Sequence, residues 1–117
     1  MAQAATFGLL SASANGKQIK IVATSTPGTT IHTAVAGTSS WDRIFLYAVN
    51  SSANPVKLTL EWGEATAPDG NIEQTIQPES GLVPLTYGIP LQNSLVVKAF
   101  ADTTNVVMID GYVLTVA

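Results

Sequence analysis

The sequence predicts an all-β protein, folded as a single antiparallel β-sandwich with a jelly-roll-like arrangement of about eight to nine short strands. Apolar runs of strand length recur about ten residues apart, a spacing typical of sandwiches and barrels. Turn-forming residues such as Asn15-Gly16 stand between these runs. No window shows the i, i+3, i+4, i+7 apolar spacing of a helix without a Gly, Pro or β-branched cluster. The pattern therefore favours strands along the whole chain.

Each strand is predicted from an apolar run and from the turn residues that end it. Residues 1–11 are interpreted either as an edge strand or arm packed on a neighbouring subunit, or as the first strand of the chain's own sandwich. A single helical turn is possible near residues 39–42. The nine predicted strands are 5–11, 17–24, 29–36, 43–50, 56–63, 71–77, 80–85, 94–101 and 105–116. The turns between them contain Asn15-Gly16, Thr26-Pro27-Gly28, Ala36-Gly37, residues 50–55, residues 67–70, residues 78–81 and Gly88-Ile89-Pro90.

Alternation within the strands predicts which side chains face the core. Residues 44–49 are apolar on both faces, so this strand is expected in the middle of its sheet with something packed on each side. The last strand has the same character, and Gly111 is expected to bend or bulge it. The side chains predicted to point inward are Ile19, Ile21, Ile31, Val35, Leu58, Leu60, Trp62, Ile72, Ile76, Leu95, Val97, Val107, Ile109 and Val113.

Length and composition predict one domain over residues 1–117 that functions through its surface. The chain is 46% hydrophobic and only 11% charged, and its mean hydropathy is +0.29, so we expect another subunit to cover part of the apolar surface. Five scattered Lys and Arg residues with a net charge of −3 do not form a basic footprint, which argues against direct nucleic-acid binding. No signal-peptide or membrane-span pattern is present, so the chain is expected to be cytosolic at synthesis and not to bind membrane.

Residues with catalytic potential are few. His32 is expected to be an ordinary strand histidine, because no G-x-S-x-G nucleophile elbow accompanies it. Glu61 and Glu64 bracket Trp62, as in the start of a glycosidase site, but alternation points Glu61 and Trp62 to opposite faces unless Gly63 breaks the strand. The chain has no cysteine and no metal-ligand cluster. We therefore expect no enzymatic activity, no metal and no cofactor, and keep a small hydrolase as the least favoured hypothesis.

The sequence instead favours residues that could anchor an interface. Trp41-Asp42-Arg43 places an aromatic ring and a guanidinium before an apolar strand, and both groups are common at the centre of protein interfaces. The alternative is that Trp41 packs on its own sandwich. The candidate interface residues are Phe7, Leu9, Leu10, Trp41, Arg43, Phe45 and Tyr47.

Several sequence segments resemble one group of viral proteins. "LYAVN", "KLTLEWG", "IEQTI" and the small residues 78–81 before an apolar strand are similar to short accessory proteins encoded among the virion genes of tailed bacteriophages, over about residues 29–114. These segments are strand and turn patterns, so no site residue is carried over from them. The resemblance implies a structural protein of the virion, assembled in the host cytoplasm, that binds the major capsid protein or other virion proteins.

Within that group, the size of the chain best matches a capsid decoration (cement) protein, which stabilises the head by binding across capsomer junctions. Head symmetry favours a homo-oligomer, and a trimer above other states. The alternative is a neck or tail accessory protein, or a receptor- or carbohydrate-binding module of the virion. In that case the candidate contacts are Trp41, Arg43, Trp62 and Tyr87.

Overall fold

The computed structural model describes residues 4–117, and within that range it contains nine β-strands and no helix. The fold class predicted from the sequence is confirmed: two antiparallel sheets pack face to face as a β-sandwich. The strands are β1 (Ala5–Leu9), β2 (Ile19–Lys20), β3 (Thr29–Thr33), β4 (Trp41–Asn50), β5 (Val56–Trp62), β6 (Asn71–Ile76), β7 (Val83–Leu91), β8 (Val96–Ala101) and β9 (Val107–Val116).

The strand order follows a nested pattern. Sheet A has the order β1-β9-β4-β7, with β2 beside β1 on the same edge of β9, and sheet B has the order β3-β8-β5-β6. Every pair is antiparallel, and β2 pairs with β9, β3 with β8, β4 with β7 and β5 with β6. This is a long hairpin folded over on itself, the jelly-roll arrangement. The additional strand β1 extends one edge of sheet A.

Most strands differ from the predicted bounds by a few residues, and β2 and β7 differ most. β2 has only two residues, because the chain leaves sheet A at Ile21 and crosses to sheet B, where the carbonyl of Ala23 accepts a hydrogen bond from Ala101. β7 continues to Leu91 instead of ending at residue 85. Gly88 has a φ of 78°, and the register with β4 shifts at two places, so the predicted turn at residues 88–90 is an irregularity within the strand. β4 already begins at Trp41, so residues 41 and 42 are extended and not part of a helical turn.

The hydrophobic core lies between the two sheets. Most of the side chains predicted to point inward are buried there, whereas Ile72 and Leu95 are 37% and 44% exposed. Ile72 lies on the edge strand β6, and Leu95 lies in the turn before β8 begins at Val96. Val35 and Trp62 are half-buried, and Trp62 packs against the rim of the core. The core also contains Leu10, Ile44, Leu46, Ala48, Val56, Ala99 and Ala101.

The position predicted for the doubly apolar strand is confirmed, since β4 lies between β9 and β7 in sheet A. Its inward side chains are fully buried, whereas Phe45, Tyr47 and Val49 on the other face are half-buried. The register between β4 and β9 is continuous through Gly111, so the bulge expected there is absent from this pairing. Gly111 instead allows close approach of the two strands, because a Cβ built on it would overlap the carbonyl oxygen of Phe45.

Candidate functional site: an aromatic face on sheet A

The outer face of sheet A carries a cluster of aromatic side chains, here called the aromatic face. It contains five of the chain's eight aromatic residues. Their placement follows from alternation, because each lies next in sequence to a residue whose side chain points into the core or toward the inner face. The aromatic face consists of Phe7, Phe45, Tyr47, Tyr87 and Tyr112.

A single cross-strand row forms the centre of this face. Leu9 of β1 lies opposite Tyr112 of β9, Tyr112 lies opposite Phe45 of β4, and Phe45 lies opposite Tyr87 of β7. Directly opposed side chains on one sheet face are close enough to pack on one another. Four strands therefore contribute one apolar residue each to a continuous band across the sheet.

The rings within the band are packed in defined geometry. Phe45 and Tyr112 stack with ring centroids 4.7 Å apart and planes at 12°, and Phe7 lies against Tyr112 at 5.8 Å with a tilt of 56°. A Cβ built on Gly88 would lie 2.8 Å from the ring of Phe45, so this glycine allows β7 to approach the ring. Such contacts fix the rings in place before any partner binds.

Exposure shows where a partner could make contact. Tyr87 and Phe7 are 71% and 69% exposed, Leu9 is 57% exposed and Tyr112 is 36% exposed, although all four are large apolar or aromatic side chains. Partial burial is the largest cause that raises the pKa of Tyr47, and the nearby Tyr112 and Tyr87 phenols raise it further. Tyr47 therefore stays neutral at physiological pH. Clustered exposed aromatic groups of this kind mark interaction sites on soluble proteins.

Few charges surround the aromatic face. Arg43 lies two residues before Phe45 on β4, and its Nε donates a hydrogen bond to the carbonyl of Gly88 at 3.2 Å. Asp110 lies opposite Tyr47, and its carboxylate accepts a hydrogen bond from the amide of Gly111 at 2.8 Å. Lys20 of β2 lies on the same face, because it pairs with Met108, which pairs with Val49. The described strands of sheet A therefore place two basic groups and one acidic group beside an otherwise apolar surface, which is the arrangement of an interface with a polar rim.

The candidate interface residues predicted from sequence mostly lie on this side of the molecule. Phe7, Phe45 and Tyr47 belong to the aromatic face, and Leu9 is part of its central band. Trp41 and Arg43 share the outward parity of Phe45 on β4, and Trp41 is half-buried. Leu10 is elsewhere: it is 1% exposed and packs in the core. A residue in that position is not accessible to a partner while the sandwich is folded.

The amino-terminal strand lies at the edge of the chain's own sheet. β1 pairs antiparallel with β9, and all five of its residues are exposed. Leu10, immediately after it, anchors the segment in the core. Within the described residues the segment is thus an edge strand of its own sandwich, while residues 1–3 lie outside the described part of the chain. Whether it also contacts a neighbouring subunit, as the arm hypothesis holds, stays a prediction.

His32 belongs to a buried hydrogen-bonded network and not to the surface. The amide of Ser11 donates to Nδ1 of His32 at 2.9 Å, so this nitrogen is the acceptor and Nε2 carries the proton. Nε2 in turn lies 2.7 Å from Oδ2 of Asp42, and Oδ1 of Asp42 accepts a hydrogen bond from Thr115 at 2.6 Å. Both ring nitrogens are engaged, which leaves no lone pair to accept a proton from a substrate.

Glu61 and Glu64 line the same pocket, because β5 ends between them, at the Gly63 break that the sequence left open. β5 ends at Trp62, Gly63 has a φ of 73°, and Glu61 and Glu64 line one open surface pocket of about 210 Å³. Glu61 is 1% exposed, and its two oxygens accept hydrogen bonds from the Thr26 hydroxyl and the Gly28 amide. These two hydrogen bonds attach the loop before β3 to β5. The tryptophan between the two glutamates does not line the pocket.

Sequence reasoning missed Tyr112 and undervalued Tyr87. Tyr112 precedes the inward-pointing Val113, so alternation could have placed it outside, but only the strand order reveals that it stacks on Phe45. Tyr87 lay beyond the predicted end of its strand, next to a Gly-Ile-Pro segment that resembled a turn. The hydroxyl of Thr86 accepts a hydrogen bond from Leu46 and donates one to Ile44, which keeps this irregular part of β7 attached to β4.

Comparison with known proteins gives no relative for this chain: no family model, no curated protein and no solved structure matches it. Among residues 4–117, no helix is long and apolar enough to cross a membrane. No group of three or more His, Asp or Glu side chains in the same range is arranged to hold a metal ion.

Proposed function

We propose that this protein is a structural component of a tailed-phage virion, most specifically a capsid decoration protein that attaches to the head through the aromatic face. The observation that carries the proposal is the band across sheet A in which Leu9, Tyr112 and Tyr87 are exposed and Phe45 lies between Tyr112 and Tyr87. A decoration protein needs a rigid scaffold with an apolar contact surface, and no bond-making chemistry.

Two further features support this proposal. The nested jelly roll occurs in viral capsid proteins, although it also occurs in lectin domains and cupins, so it supports the proposal only as an analogy. Two of the three polar groups with catalytic potential are engaged internally: His32 is bonded on both ring nitrogens and Glu61 on both oxygens, whereas Glu64 is exposed. A contact surface is therefore the main feature that the chain presents to its surroundings.

Cosedimentation tests the proposal with one variant and one matched control. Purified protein is mixed with heads from the phage that carries the gene, prepared without this chain, and the pelleted fraction is measured. Tyr87→Lys places a charge within the proposed contact, at the β7 end of the band, and should reduce binding at least tenfold. Val22→Lys changes a side chain that is 57% exposed in the loop after β2, away from the aromatic face, and should bind like the original protein.

Two results would overturn the proposal. One is an original protein that stays in the supernatant and has no copies in purified virions by mass spectrometry. The other is equal binding by the Tyr87→Lys and Val22→Lys variants, which would place the contact on another surface.

A glycan array tests the alternative of a carbohydrate-binding module. Sugar rings stack on open aromatic faces, whereas Phe45 and Tyr112 cover each other's faces and Trp62 packs against the core. These contacts favour a protein partner. Glycan binding that is lost in the Tyr87→Lys variant would contradict the decoration role and support the alternative. The trimer expected from head symmetry stays a prediction. It is an alternative to the dimer proposed in the next section, and the mass of the free protein in solution distinguishes the two.

A further inference from the structure

We propose that two copies of this protein pair through the free edge of β1, antiparallel and around a twofold axis at Phe7, so that their two sheets A form one continuous sheet. This inference goes beyond the proposed function, because the pairing follows from the strand itself whether or not the protein belongs to a virion. The occupant of the edge is a second copy of the same chain.

The backbone of β1 has hydrogen-bonding groups directed away from its own sheet. Ala117 donates its amide to the carbonyl of Ala4 at 2.8 Å, which makes residues 4 and 117 a hydrogen-bonded pair. Such pairs alternate along an antiparallel ladder, so Thr6 and Gly8 also bond to β9. The amides and carbonyls of Ala5, Phe7 and Leu9 therefore point to the opposite edge, where no described residue pairs with them.

The other long sheet edges are protected against pairing. β7 carries Pro84 and Pro90, which have no amide hydrogen to donate. β6 carries Glu73 in an ion pair with Lys57 at 2.8 Å. The edge of β3 is capped by residues 11 and 12, since Ala12 donates its amide to Ile31 at 3.2 Å. β1 has no charge, no proline and no such cover among the described residues.

The sequence of β1 is complementary to itself in this arrangement. With Phe7 on the twofold axis, Ala5 of one copy lies opposite Leu9 of the other, and the three outward-pointing residues of each strand form hydrogen-bonded pairs. Phe7 and Leu9 are 69% and 57% exposed on the aromatic side of sheet A. Pairing would bring both copies of these side chains together and join the two aromatic faces into one surface.

A charge substitution on the twofold axis tests this pairing by sedimentation equilibrium. The original protein should have twice the 12.2 kDa mass of one chain. Phe7→Lys places two like charges opposite each other and should raise the dimer dissociation constant at least tenfold. Tyr87→Lys is the matched control: its side chain is equally exposed on the same face, but lies three strands away, about 14 Å at the usual strand spacing. It should remain dimeric.

Mixing opposite charges tests the twofold axis itself. Phe7→Lys and Phe7→Glu should each be monomeric, and an equimolar mixture should recover the dimer mass, because the two charges then meet as a pair. If these variants misfold, Phe7→Cys replaces them, since the chain has no other cysteine. Opposed residues of a hydrogen-bonded pair have Cα atoms about 5.5 Å apart, within disulfide range. Phe7→Cys should oxidise to a covalent dimer, and Tyr87→Cys should not.

Three results would overturn the inference. They are a monomeric original protein at millimolar concentration, a dimer that tolerates Phe7→Lys, and a trimer, which a single twofold contact does not form. The outcome is separate from that of the proposed function. Tyr87→Lys tests attachment to the head while leaving β1 intact, and the Phe7 variants test self-pairing without any phage component.

Discussion

Replacing Asp42, a buried residue on β4 of sheet A, should produce one of the largest losses of stability in this protein. Its side chain is 3% exposed and joins three parts of the sandwich. Oδ2 lies 2.7 Å from Nε2 of His32 and accepts a hydrogen bond from the Val35 amide at 3.1 Å, while Oδ1 accepts one from Thr115 at 2.6 Å. These contacts connect β3, β4 and β9.

Asp42→Ala removes the acceptor for both His32 and Val35. A buried donor left without a partner costs about 1–3 kcal/mol, so the two donors together predict a loss of about 2–6 kcal/mol in the free energy of unfolding. Asp42→Asn keeps the shape of the side chain. Its amide oxygen can accept from His32 and Val35, and its NH2 group can donate to Thr115, whose hydroxyl can rotate to accept. The remaining loss of charge predicts only about 1–2 kcal/mol.

Urea unfolding at one fixed protein concentration, followed by tryptophan fluorescence, measures both variants. The reasoning predicts that Asp42→Ala is about 2.5 kcal/mol less stable than Asp42→Asn, the difference between the midpoints of the two estimates above. Equal destabilisation of both variants would mean that the negative charge, and not the set of hydrogen bonds, is what matters. A loss below about 1 kcal/mol for Asp42→Ala would refute the importance of the network.

Three further predictions concern the titration of Asp42, two glycines and Asn50. Burial raises the pKa of Asp42, but hydrogen bonds from His32 and Thr115 outweigh this effect, so the pKa of Asp42 lies below 3.8. The stability advantage of the original protein over Asp42→Asn should therefore be full above pH 3.8 and disappear as the pH falls through the lowered pKa. Unfolding measured across that pH range tests this prediction. Gly111→Ala should cost about 3 kcal/mol or more in thermal unfolding because its Cβ would overlap a strand backbone, whereas Gly37→Ala, which meets no atom within 4 Å, should cost about 1 kcal/mol for its positive φ alone. Asn50→Asp should be at least as destabilising as Asn50→Ala in urea unfolding, because the Asn50 amide donates to two backbone carbonyls that a carboxylate would repel. A smaller loss of stability in Asn50→Asp than in Asn50→Ala would show that those two hydrogen bonds contribute little.

Alternation and turn residues were sufficient to predict the class and most strand positions. Residues 56–62 alternate cleanly, and the structure places Leu58 and Leu60 in the core as expected. Alternation failed where a strand lies at an edge or ends early, as at Ile72 and Leu95, because burial there depends on which strand lies beside it. Local patterns carry no information about such neighbours.

The candidate site was only partly predictable for the same reason. The doubly apolar strand indicated that Phe45 and Tyr47 would need cover, and they do form part of the aromatic face. The partners of Phe45 come from β9 and β7, which lie about 40 to 70 residues away along the chain, as the pairs with Tyr112 and Tyr87 show. The burial of His32 beside Ile31 was also unpredictable, since an irregular register between Thr30 and His32 overrides simple alternation.

Imaging an intact virion at a resolution that separates β-strands would test the central claim most directly, namely that the aromatic face is the surface through which the protein attaches to its partner. We expect a nine-stranded sandwich on the head, with the outer face of sheet A turned toward capsid protein and Tyr87 and Tyr112 buried in the contact. A particle that lacks this sandwich, or one in which Tyr87 and Tyr112 face solvent while another surface touches the capsid, would contradict the account.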